Sequence, residues 1–308
     1  MPGWVPFTGL TAVVVLLLLG LARLSQRAVD DQPALPDARE STATPDTPGD
    51  GDGERAGVAV GDESTPTETT SSSVTVESDQ VDAGPTTKSD RGDGELESSR
   101  SADDTPGAGP EFSTGALLAN VALTQGLFGV ALAVGAWYYE IPLSALGLTE
   151  TAVGTGALAI GVGIVFGVVL WVANETSASV ADAVGATYDE SLRGMLAPET
   201  IPGWVLLLGI ILPTIALVEE LLFRAALIGV PAAGFGISPL ALAIFSSALF
   251  ALGHGAQGKV GIAVTGGLGL VLAGGYILSG SLLVVVVAHY LVNALEFLVH
   301  EGLGADRF

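Results

Sequence analysis

The chain has 308 residues, 49% hydrophobic and 14% charged, and carries a formal net charge of −22 from 33 acids against 11 Lys and Arg. A mean hydropathy of +0.57 with recurrent apolar runs of spanning length excludes an ordinary soluble globule. The acidic balance excludes nucleic-acid binding, which needs clustered Lys or Arg, and zero cysteines exclude disulfides, thiolate metal sites and cysteine nucleophiles within this chain.

The chain opens with an apolar run over about 4–22, followed by Arg23 and Arg27. A secretory signal carries its positive charge before the apolar core and small residues at a cleavage site after it. This pattern predicts a retained anchor helix over 1–24. Residues 25–112 then change character. Within 28–112 lie 21 acids and 5 bases in a background of Ser, Thr, Pro and Gly with almost no aromatics. Such a tract cannot bury enough apolar area to offset its conformational entropy, and a disordered acidic linker is expected. So acidic a composition, with 2 Lys in the whole chain, is that of a protein kept soluble in very high salt, and a halophilic source is inferred.

From 113 to 308 apolar runs recur at about 115–137, 151–173, 202–230, 239–254, 259–279 and 281–300. Together with the anchor they predict seven spans and an all-α polytopic membrane bundle. Glycines inside the runs, as in "AIGVGIVFGVV" and "GIAVTGGLGLVLAGG", are read as packing seams where helices approach closely. The polar stretch 174–200 between two spans is expected to lie as an amphipathic helix at the interface. Arg23, Arg27, Arg193, Lys259 and Arg307 fall on one side of this topology. The positive-inside rule therefore predicts a multi-pass cell-membrane protein with linker and C-terminus in the cytoplasm.

Within the span at 202–230 the stretch "LVEELLFRAALIG" (217–229) carries Glu219, Glu220 and Arg224. Charges at bilayer depth are costly and mark functional sites. Helical geometry puts Glu220 one turn from Arg224, so these two can pair, while the adjacent Glu219 points elsewhere and is left to face a cavity. Two further polar sets follow in apolar surroundings: Phe250 and His254 in "FALGH", then His289 and Asn293 in "AHYLVN". His289 and Asn293 share a helix face at i, i+4. A sheltered carboxylate suits a general base that takes a proton from water, a histidine can share that work, and an amide can meet an oxyanion. The same Glu219, His254 and His289 equally offer the ligand count of a catalytic Zn2+ site. The residues alone leave both versions open. His300 with Glu301 reads as a solvated helix cap, Glu140 as an ordinary edge residue, and Glu296 as a neighbour one turn beyond Asn293.

In this order and on successive hydrophobic segments, Glu219-Glu220-x-x-x-Arg224, Phe250-x-x-x-His254 and His289-x-x-x-Asn293 resemble the three motifs of the CAAX protease and bacteriocin-processing (CPBP) family of intramembrane proteases. The resemblance covers about 200–300. It implies an all-α intramembrane endopeptidase, often labelled a metalloprotease, with Glu219 as the catalytic carboxylate and His254 as its partner at the water. It further implies His289 and Asn293 as oxyanion or water-orienting groups and Glu220, Arg224 and Phe250 as site-shaping residues. The implied partners are the lipid bilayer and a membrane-tethered protein or peptide, such as a prenylated C-a-a-X tail. The alternative implied by the same family is a non-catalytic scaffold or bacteriocin-immunity protein. A His-Glu-x-x-His zinc helix is absent, and no presenilin-like Gly-x-Gly-Asp occurs in any of the apolar runs.

Overall fold

The computed structural model describes residues 1–30, 114–183, 185 and 191–304, which fall within one compact unit. These residues form helices and turns with no strand. The expected linker lies outside them, apart from its first six residues, which continue the first helix. The helices are α1 (Trp4–Asp30), α2 (Thr114–Tyr138), α3 (Ala157–Ala183) and the short α4 (Ser191–Leu196). Then come α5 (Ile201–Phe235), α6 (Pro239–Gly253), α7 (Gly258–Ser279) and α8 (Leu282–Gly302).

Six of the helices are long and apolar enough to cross a membrane, which makes this a multi-pass membrane protein. The seventh expected span is α6, and it is shorter than a span requires. Its 15 residues extend about 22 Å at 1.5 Å per residue, against a hydrocarbon core of about 30 Å. The chain turns back at His254 and Gly258, where Gly258 adopts φ 76, a left-handed conformation open to a residue without Cβ. α6 thus ends at Gly253, next to His254, which lines the cavity described below.

A second difference concerns α3, which continues through the polar residues Asn174 and Glu175 to Ala183 instead of breaking at 174. Helical continuation is favoured there because those side chains find partners on α8, as described below. α1, the expected anchor helix, also buries Phe7, Val14 and Val15 in the main core. A Cβ on Gly234 of α5 would lie 2.6 Å from the Trp4 ring, so the glycine is what admits the indole.

α5 spans 35 residues and contains two π-helical stretches, Leu207–Ile211 and Leu221–Gly229. Each is followed at once by an X-Pro pair, Leu212-Pro213 and Val230-Pro231. A proline ring crowds the carbonyl four residues back and offers no N–H. The helix widens in response: the N–H of Val230 reaches back to the carbonyl of Ala225, and that of Leu212 to Leu207. Between and within these wide turns sit Glu219, Glu220 and Arg224.

α3 and α8 cross through glycines. A Cβ on Gly163 would stand 2.8 Å from the carbonyl of Val284, and one on Gly167 would stand 2.9 Å from that of Ala288. This small-x-x-x-small spacing lets backbones meet where lipid supplies no hydrophobic drive. Gly167→Leu is expected to lower the thermal midpoint in detergent by several degrees, because the side chain forces apart the helix that carries His289. Unfolding at the unmutated midpoint would show that the crossing is not tight.

Candidate active site

The sequence places two carboxylates and a guanidinium on one span, and the fold separates their surroundings. Glu220 is fully buried and Arg224 is 1% exposed. Arg224 donates from Nη1 to Glu220 Oε1 at 2.9 Å and from Nη2 to the carbonyl of Gly269 on α7 at 3.0 Å. Gly269 carries no side chain to obstruct this approach: a Cβ there would stand 3.0 Å from Phe250 and 3.5 Å from Arg224 Nη2. The guanidinium also lies over the Phe250 ring, 4.7 Å from its centroid, a cation–π contact strengthened by the absence of water.

α8 supplies the next residue. His289 is 3% exposed, with Nδ1 2.7 Å from Glu220 Oε1 and Nε2 3.7 Å from Glu219 Oε2. A Glu220 carboxylate accepts the Nδ1–H, which fixes the ring so that its other nitrogen faces Glu219. The 3.7 Å gap is too long for a direct hydrogen bond, yet one water about 2.8 Å from each atom could bridge both. Gln125, on α2, donates from Nε2 to the other oxygen, Glu219 Oε1, at 3.5 Å.

His254, at the end of α6, is held by its own helix: Nδ1 lies 2.9 Å from the carbonyl of Phe250. Because a carbonyl only accepts, Nδ1 carries the proton and Nε2 is left for other partners. Phe250 is the hub of this arrangement. Its ring centroid is 4.5 Å from that of His254, 5.0 Å from that of Phe223 and 6.0 Å from that of His289. The aromatic ring thus sets the spacing between the two histidines.

Glu219, Phe250, His254, His289 and Asn293 line one cavity of about 300 Å3, whereas Glu220 and Arg224 support it from behind. Asn293 is half-buried, one turn beyond His289. Much of the remaining wall is apolar and comes chiefly from α2, α5 and α8. It includes Leu118, Leu207, Ile211, Leu212 and Phe297, which form a second apolar cluster.

On the polar rim of this cavity, sequence reasoning noted Glu296 as a neighbour of Asn293 but missed Asn174 and Arg193. Glu296, Asn174 and Arg193 line it, and Glu296 accepts from Asn174 Nδ2 at 2.7 Å and from Arg193 Nη1 at 3.0 Å. His300 and Glu301 are not a solvated cap. His300 Nε2 lies 2.8 Å from the buried Glu175, and Glu301 accepts from Arg193 Nε at 2.9 Å. The reason is register, since Glu296 and His300 are one turn apart on the face of α8 that meets α3. The available signal was the i, i+4 spacing of Glu296 and His300, facing the polar pair Asn174-Glu175.

The residues that could hold a metal form two sets. Glu219 and His289 present one ligand atom each across the 3.7 Å gap. Among the described residues, however, the set of three whose donor atoms all lie within 4.8 Å of one another is Glu175, Glu296 and His300. Glu219, His254 and His289 do not converge to that degree as a ready three-ligand site.

Residues 201–295, about a third of the chain, match a family model described as type II CAAX prenyl endopeptidase Rce1-like. No curated protein and no solved structure matches the chain.

Proposed function

Taking as premise that residues 201–295 form a domain of the Rce1-like CAAX endopeptidase family, we propose that this protein is an intramembrane endopeptidase that cleaves a membrane-tethered substrate through a water activated by Glu219. The observation that carries this reading is the 3.7 Å gap between Glu219 and His289 on the wall of a sheltered cavity, with Glu220 fixing His289 from behind.

The steps use the chain's own groups. Water held between Glu219 and the histidines gives a proton to the Glu219 carboxylate as its oxygen attacks the scissile carbonyl carbon. Negative charge forms on the carbonyl oxygen and is met by the Asn293 amide, while His289, anchored by Glu220 through Nδ1, keeps Nε2 on the water. When the C–N bond breaks, Glu219 returns its proton to the departing amine nitrogen. His254, whose Nδ1 is bound to Phe250, orients the water through Nε2. A divalent ion held by Glu219 and His289 would polarise the scissile carbonyl.

The test is incubation of the purified full chain, in detergent or nanodiscs, with a farnesylated C-a-a-X peptide and with an unprenylated control. Mass spectrometry should show loss of the residues beyond one bond. Cleavage of neither peptide, nor of any other membrane-tethered tail, would favour the scaffold alternative.

A further inference from the structure

The wall formed by Glu219, Phe250 and His254 has two sides. Beyond the 300 Å3 cavity already described, the same three residues line a second one of about 180 Å3. Its opposite wall is built by α1 and α2, through Leu18, Leu21 and Ala22 on the one and Gln125 and Phe128 on the other. Neither helix belongs to the matched segment 201–295. α1 is held there by close packing, since a Cβ on Gly253 would lie 3.2 Å from Leu18.

We propose that this α1–α2 cavity is a second substrate subsite, which receives an uncharged apolar side chain flanking the scissile bond. The inference rests on the endopeptidase reading above. Successive side chains of an extended peptide point to opposite sides. A bond cut at Glu219 therefore needs two pockets facing away from each other, and the two cavities meet at that residue. The chemistry of the smaller one selects its occupant. Apart from the shared Glu219 and His254, no ionisable side chain among the described residues lines it. An anionic group would enter beside the Glu219 carboxylate with no basic partner other than His254, whereas leucine- or isoleucine-like groups match Leu18, Leu21 and Phe128. One polar feature is left over. The Gln125 side chain donates its N–H to Glu219, and its carbonyl oxygen is buried with no partner. That oxygen is placed to accept a backbone N–H from the bound chain, which would satisfy a group otherwise costly to bury.

Two measurements on the full chain test this. In the first, p-benzoylphenylalanine replaces Leu21 in a Glu219→Gln background, the farnesylated C-a-a-X peptide is the probe, and photo-adducts are located by mass spectrometry. The same label at Ile215, which lines the larger cavity, serves as comparison. Adducts from both positions, on residues either side of one bond, are expected. In the second, Ala22→Trp fills the smaller cavity in the otherwise unmutated chain. Its kcat/KM should shift by about tenfold or more toward peptides with Ala, rather than Leu, at the flanking position.

An adduct from position 21 without turnover by the unmutated chain would remove hydrolysis and keep the subsite. Turnover with no adduct from position 21 and unchanged selectivity would remove the subsite and keep the enzyme. Absence of adducts from both positions, together with no turnover, overturns both.

Discussion

Glu219→Gln is expected to lower kcat/KM by about a hundred- to ten-thousand-fold, the range a positioned acid–base group contributes, while leaving the fold intact. The amide keeps the volume of the carboxylate and can still face Gln125. What it loses is the ability to take a proton from water and return it to the amine. The residue is 8% exposed, and Arg224 keeps its ion pair with Glu220 when Glu219 is neutralised. Thermal unfolding in detergent should match the unmutated chain. A variant that unfolds many degrees earlier would make Glu219 a structural residue, and one that retains full activity would remove it from the chemistry.

Arg224 is expected to behave in the opposite way. Arg224→Leu leaves the fully buried Glu220 without its guanidinium and the Gly269 carbonyl without its donor. Removing one member of a buried ion pair costs about 3–5 kcal/mol. The predicted result is a large fall in the thermal midpoint and loss of activity, because Glu220 also anchors His289. The pair Arg224→Leu with Glu220→Leu should recover part of the stability, since it removes both charges, and none of the activity. If Arg224→Leu is as stable as the unmutated protein, the ion pair is not what holds α5 against α7 and α8.

The ordering of polar residues along apolar runs made the polar wall of the cavity legible. Glu220 and Arg224, then His289 and Asn293, are i, i+4 pairs, and helical periodicity alone puts each pair on one face. The partnership of Glu220 with His289 joins residues 69 positions apart, and that of Gln125 with Glu219 joins residues 94 apart. No local periodicity records such contacts. The same holds for Glu175 and His300, separated by 125 positions: each looks like the polar end of its own span until α3 and α8 are packed together.

Helix count and most bounds were legible from hydropathy, but not which of the helices is long enough to span. The apolar run at 239–254 satisfies composition while its helix stops short of a span, because the chain reverses at Gly258. The role of α1 was hidden for a different reason. Its sequence is apolar all round, as a lone anchor would be, and only the glycines that admit Trp4 and Leu18 reveal a packed helix. Those glycines lie on other elements, at 234 and 253.

The central claim is that Glu219 and His289 act on one water as a unit, and a double-mutant cycle on kcat/KM addresses it most directly. The four proteins are the unmutated chain, Glu219→Gln, His289→Gln and the double variant, all assayed with the peptide that the unmutated chain cleaves. Residues that work as one machine are strongly non-additive. The double variant is predicted to be no slower than the slower of the two single variants. Losses that multiply, so that the double variant falls by the product of the two single effects, would contradict a shared water and assign the two residues to independent tasks.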